Sequence, residues 1–177
     1  MGNDKRRLKI DFDALEDAVD NSFYELSYYL DLETGEVILV TEDTRDQLDS
    51  ITDRTGMEAI EAVNEAIQNE MIPDWQRESL HEAALVEFDR NNRFVQVPPA
   101  DSRDGYADME AFIETVSQPR LQERLQTAIQ GKGAFRRFKD VLESAPEERE
   151  RWFEYRDKRL RQRVLDWLET EDIEPIT

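Results

Sequence analysis

The chain has 177 residues, with 42 Asp or Glu against 23 Lys or Arg, one histidine and no cysteine, for a formal net charge of -19. That composition excludes a disulfide framework, a thiolate nucleophile and any cysteine-based metal centre, and the single His81 excludes a multi-histidine site. Apolar residues make up 38% and charged residues 37%, yet the 16 aromatic residues recur at structured spacings, which predicts a folded protein with a very polar surface.

The chain opens on Lys5, Arg6, Arg7 and Lys9, but Asp11 and Asp13 follow where a signal peptide would be apolar. The sixth position lacks the Ser or Thr of a myristoylation pattern. No stretch approaches the roughly 20 apolar residues of a membrane span, so no membrane partner and a cytoplasmic location are expected.

From Asp11 to Asp20 a short helix is predicted, with Phe12, Leu15 and Val19 on one face. A β-hairpin over 23–41 follows, with Glu33-Thr34-Gly35 at its turn. Its second strand, Val37 to Val40, is apolar at four consecutive positions, as in a strand buried on both faces. A short segment around Leu48 and Ile51 precedes Gly56. Met57, Ile60, Val63, Ile67 and Met71 then mark a helix stopping before Pro73. Asp74 is placed as the cap of the next helix, which turns Leu80, Ala83, Ala84 and Phe88 inward. His81 on that helix reads as a structural histidine, since no Ser or Cys partner motif accompanies it. Phe94 to Val97 is a third strand for the hairpin, because three strands are stable where two are marginal.

Everything after Arg103 reads as helical. Successive stripes comprise Tyr106, Met109, Phe112, Ile113 and Val116; Leu121, Leu125, Ala128 and Ile129 behind a Ser117 cap; and Phe135, Phe138 and Leu142. A last helix opens on the capping-box pattern Ser144-Ala145-Pro146-Glu147 and carries Trp152, Phe153, Leu160, Val164, Trp167 and Leu168. The expected fold is α+β and predominantly α, with a small antiparallel sheet of a hairpin plus a third strand, followed by an all-helical C-terminal half. It is expected as a single domain over 1–177, with an α/β lobe at 1–98 and a helical lobe at 99–177.

Charge is unevenly distributed. Residues 1–117 carry a net -19, residues 118–163 a net +5, and residues 164–177 a net -5. Abundant acids with scarce lysine suit a protein adapted to high salt. The basic island centres on Gly131-Lys132-Gly133-Ala134-Phe135-Arg136-Arg137-Phe138-Lys139. Glycines, a helix start and several cations together form the physical recipe for an anion site. The candidate anion-binding residues are therefore Gly131, Lys132, Gly133, Arg136, Arg137 and Lys139, with Arg159 as an outward-facing contact on the last helix. A structural reading has the greater precedent: Gly131 as the left-handed stop of a helix, and Arg136 and Arg137 paired with acids. Trp152, Tyr155, Arg156, Arg159 and Arg163 lie in one stripe that fits either base stacking or cation–π clamping, with clamping favoured for Arg156 and Arg163. No catalytic residue, metal site or cofactor is assigned. The carboxylate pairs Asp11/Asp13, Asp101/Asp104 and Glu110/Glu114 read as solvated faces.

The chain also resembles the uncharacterised protein family numbered 0158. The resemblance rests on Tyr28 to Val37, Phe94 to Pro98, Asp104 to Ile113 and Ala128 to Asp140, then Trp152-Phe153 and Trp167-Leu168. It implies one compact unit joining hairpin and helices, and it supplies no activity, ligand or catalytic residue. The functional expectation is a non-catalytic binding or regulatory protein that holds RNA or a phosphorylated ligand on the basic junction. The alternatives are an adaptor offering its acidic surface to a basic protein, and a carboxylate- or metal-dependent hydrolase. Oligomeric state is not legible.

Overall fold

The computed structural model describes residues 5–21, 25–56 and 59–176. Strand β1 (Arg6–Lys9) leads into helix α1 (Phe12–Asn21), the strands β2 (Leu26–Asp31) and β3 (Val37–Thr41), and helices α2 (Glu42–Thr55), α3 (Ile60–Gln68) and α4 (Asp74–Glu87). Strand β4 (Phe94–Gln96) precedes α5 (Ser102–Glu114), α6 (Pro119–Ala128), α7 (Ala134–Glu143), α8 (Pro146–Thr170) and β5 (Ile173–Ile176). The fold is predominantly α, with a small antiparallel sheet and a helical second half. The chain divides into two compact units, Met1–Pro99 with Trp167–Thr177, and Ala100–Asp166. The residues from Trp167 onward thus join the first unit, where a helical lobe running through to 177 was expected.

In the first unit the antiparallel sheet has the order β3-β2-β4, with Leu30 opposite Val37 and Val95. The start of the expected hairpin strand, Phe23 and Tyr24, lies outside the described residues. Only one side of β3 is covered: Ile38 and Val40 are buried while Leu39 between them is 38% exposed. Four apolar residues in a row therefore mark a strand covered on one face, not two. Ile38 and Val40 pack with Leu48 and Ile51 of α2, Val63 and Ile67 of α3, and Leu80, Ala83 and Ala84 of α4.

The helix ends follow from local chemistry. Thr41 caps α2, its Oγ1 accepting the Thr44 N–H, and Gly56 closes it in the left-handed conformation. The segment around Leu48 is thereby a full 14-residue helix. Helix α3 ends at Gln68, so Met71 lies beyond it and is fully exposed instead of lying in the apolar stripe; Met57 lies outside the described residues. Asp74 is the first residue of α4, not its cap. His81 bridges α4 to α3, its Nδ1 2.8 Å from Asn64 Oδ1 and its Nε2 2.8 Å from Gln68 Nε2. Burial, and then the Arg77 charge, lower its pKa and favour the neutral ring.

Two features of this unit have no counterpart in the expected elements. Strands β1 and β5 pair in parallel, Arg6 opposite Ile173 and Lys9 opposite Ile176. At the hairpin turn, buried Asp31 receives Arg93 through two bonds of 2.8 and 2.6 Å, together with the Glu33 N–H and the Thr34 hydroxyl. Gly35 closes the turn at φ +80, and a side chain there would lie 2.0 Å from the Lys9 carbonyl oxygen.

The second unit is built from α5, α6, α7 and α8 as far as Asp166. Phe112, Phe138 and Trp152 interlock edge to face at 4.8–6.3 Å, and Tyr155 stacks on Trp152 at 6.1 Å. Leu121, Leu125, Ile129 and Leu142 complete this core. Phe135 departs from its predicted stripe: it is 45% exposed, with its ring edge resting over Gly105. Ser117 does not cap α6, which starts at Pro119 behind Gln118. Ser144 closes α7, so the expected capping box is not formed.

Candidate functional site

The turn between α6 and α7 carries three of the seven candidate residues, Gly131, Lys132 and Gly133, and α7 carries three more, Arg136, Arg137 and Lys139. Gly131 and Gly133 both adopt left-handed backbone, at φ +72 and +78, and Gly133 immediately precedes α7 without a capping side chain. Helix α6 ends in carbonyl groups that have no partner within the helix, and these are the negative end of its dipole. Arg137 folds back onto them. Its Nε donates to the Ala128 carbonyl at 2.9 Å, one terminal nitrogen donates to the Lys132 carbonyl, and the other to the Gln130 carbonyl. The two left-handed glycines curl the chain around this guanidinium, and a side chain on Gly133 would come within 3.2 Å of it. Arg137 therefore builds the turn, and its expected ion pair is replaced by backbone carbonyls.

Arg136, one residue earlier, points away to solvent. It is exposed, as are Lys132 and Lys139, and among the described residues none of the three has an ion-pair or hydrogen-bond partner for its charge. Since α7 begins at Ala134, Lys132 lies in the turn and only Arg136 and Lys139 share a helix face. Next to the turn is a shallow groove of about 410 Å³, lined by Ser102, Arg103, Tyr106, Ala107 and Glu110 of α5 and by Gly131, Gly133, Ala134 and Phe135. None of the three free cations lines it.

Arg159 does not join this turn. Its Nε donates to Asp108 Oδ1 at 3.0 Å, and Arg163 donates to Asp108 Oδ2 at 2.6 Å. Asp108 is 4% exposed, so two arginines of α8 compensate one buried carboxylate of α5. Arg159 remains exposed on α8, but its charge is already paired with buried Asp108. Arg163 is a clamp as expected, held by a carboxylate instead of a ring. Trp152 and Tyr155 face the core, which removes them as base-stacking platforms, and the exposed rings described in this unit are Phe135 and Phe153. Asp108 went unnoticed as a site residue, although it falls four positions before Phe112 on the apolar side of α5. Arg151 similarly reaches buried Glu148 at 2.5 Å and Thr115 Oγ1 at 3.0 Å.

Asp11/Asp13 and Asp101/Asp104 are placed at helix starts, and Glu110/Glu114 in the last turns of α5. Asp11 accepts the Ala14 N–H, and Asp101 accepts the Arg103 N–H while pairing with its guanidinium. Among the described residues no group of three His, Asp or Glu side chains is arranged to hold a metal ion, and no helix is long and apolar enough to cross a membrane.

The pattern of an uncharacterised protein family, UPF0158, matches residues 72–177, which take in both β4 and every element of the second unit. The chain belongs to this family. It is 28% identical over 171 residues to a UPF0158 protein of Pseudomonas aeruginosa, an alignment covering 96% of this chain and 88% of that protein. No solved structure matches. The UPF0158 description states no activity. Within the matched segment of this member lie the Gly131–Lys139 turn, the Asp108 clamp and the aromatic core.

Proposed function

We propose that this UPF0158 protein is a non-catalytic binding protein that holds an anionic partner, RNA or another phosphorylated molecule, on Lys132, Arg136 and Lys139. The observation that carries the reading is that these three cations are exposed and unpaired in a chain of net charge -19, while neighbouring Arg137 is engaged with carbonyls. A cation without a carboxylate partner is available to an external anion, and these three lie in the segment 118–163 of net charge +5. An extended phosphate chain suits the arrangement better than a small phosphorylated molecule, because the cations lie on open surface outside the groove.

Titration of labelled single-stranded RNA and of a nucleotide at several salt concentrations tests this. RNA affinity is expected to fall with salt at a logarithmic slope of about -2, as for three neutralised phosphates on a single strand. The Lys132→Ala/Arg136→Ala/Lys139→Ala variant is expected to flatten that slope. A wild-type response that is flat, or one that the variant reproduces, overturns the reading. The acidic surface as a whole we read as adaptation to a saline solvent.

A further inference from the structure

The most exposed large apolar side chains described in the molecule are two neighbours in the first unit. Met71 is fully exposed and Trp75 is 69% exposed. They flank Pro73, Met71 in the connection between α3 and α4 and Trp75 in the first turn of α4. This connection is built, not frayed. One terminal nitrogen of Arg77 donates to the Glu70 carbonyl at 3.2 Å and the Ile72 carbonyl at 3.1 Å, and the other to Asp74 Oδ1 at 2.5 Å. Arg54 pairs with Glu70, and Gln76 donates to Gln47 of α2 at 2.7 Å. Among the described residues Arg77 Nε is buried without a hydrogen-bond partner. The connection so held keeps a methionine and a tryptophan in water, and an exposed apolar pair on an ordered surface marks an interaction site.

The surroundings specify the kind of partner. Residues 60–87 contain seven acids and one base, Arg77, whose charge is already tied to the connection. Glu78 and Glu82 follow Trp75 on α4, and burial together with Glu78 and Glu36 raises the Glu82 pKa, as expected in a negative field. An anionic bilayer or a nucleic acid is repelled by such a surface. An apolar pocket edged with lysine or arginine is attracted to it. We infer that Met71 and Trp75 form an anchor pair for a cationic partner protein, which buries both side chains while its basic rim meets the carboxylates of α3 and α4. The inference is independent of the anion-binding reading, since it involves other residues and the opposite sign of charge.

A fluorescently labelled amphipathic helix of leucine and lysine, with a leucine and glutamate counterpart, provides the test on the full chain. The lysine peptide is expected to bind with a blue shift in tryptophan emission, and the glutamate peptide not to bind. A Met71→Ser/Trp75→Ser variant is expected to lose at least about tenfold in affinity, as for a truncated aromatic anchor. Phe153→Ser, at an exposed ring of the second unit that has no part in either reading, is expected to match the wild type. Both positions are on the surface, and circular dichroism checks that the variants fold. Equal affinity for wild type and the Met71/Trp75 variant means attraction by charge alone and overturns the proposal, as does no binding of the lysine peptide. Trp75-dependent attachment to phosphatidylglycerol vesicles, or Trp75-dependent self-association in light scattering, overturns it in favour of another occupant.

Discussion

A carboxylate at the end of a strand usually faces water, but Asp31 is only 2% exposed and is enclosed by the turn that follows it. Arg93 holds its carboxyl at about 2 against the opposing effect of burial, aided by the Glu33 N–H and the Thr34 hydroxyl. A carboxyl depressed in the folded state adds stability above its unfolded value near 3.8, and that stability disappears as the pH falls through about 2. Asp31→Asn is therefore expected to cost about 2 kcal/mol at pH 6, with the gap from wild type closing toward pH 2. Urea melts of both proteins at pH 6, 4 and 2.5 measure it; a gap independent of pH would show that packing, not charge, is what Asp31 contributes. The sequence offered no sign of this pair, because Leu30-Asp31-Leu32 reads as simple alternation and Arg93 lies 62 residues away.

Among the elements, the α6–α7 turn shows how adjacent, chemically identical residues come to differ. Arg136 and Arg137 stand 100° apart on α7, so one can reach back over the end of α6 only if the other points outward. Arg137→Ala is expected to destabilise the protein by about 1–3 kcal/mol, and Arg137→Lys by most of that, since an ammonium cannot span three carbonyls in fork geometry. Arg136→Ala is expected to remain within about 0.5 kcal/mol of wild type. Thermal melts of the three variants check the contrast, and an equal loss at both positions would refute it. Periodicity located the helices of the second unit because their stripes repeat over several turns. It did not show which arginine folds back, a choice made by the left-handed glycines. Strands β1 and β5 were hidden for a different reason: Arg-Arg-Leu-Lys and Ile-Glu-Pro-Ile are too short and too polar to display a period of two.

For the molecule as a whole, charge is the largest single quantity. If the acidic bias is a solvent adaptation, as proposed, the melting temperature rises between 0.1 and 2 M KCl as screening relieves repulsion among the carboxylates. A melting temperature that is highest at low ionic strength would sink that view. The uneven placement of charge is legible from the sequence as an acidic body with a basic island. The identities of the free cations are not, because they depend on which arginines meet Asp108, Glu148 and the end of α6.

The pairing of β1 with β5 has a consequence for how the chain is made. A ribosome extends a chain by about 5–20 residues each second, so roughly ten to thirty seconds separate the emergence of Lys9 from that of Ile173. The residues of the second unit, 100–166, are all released within that interval and can settle first. The first unit, begun earlier, lacks the strand opposite β1 until residues 173–176 have been made. Vectorial synthesis thus reverses the order of completion: the unit started first is the one finished last.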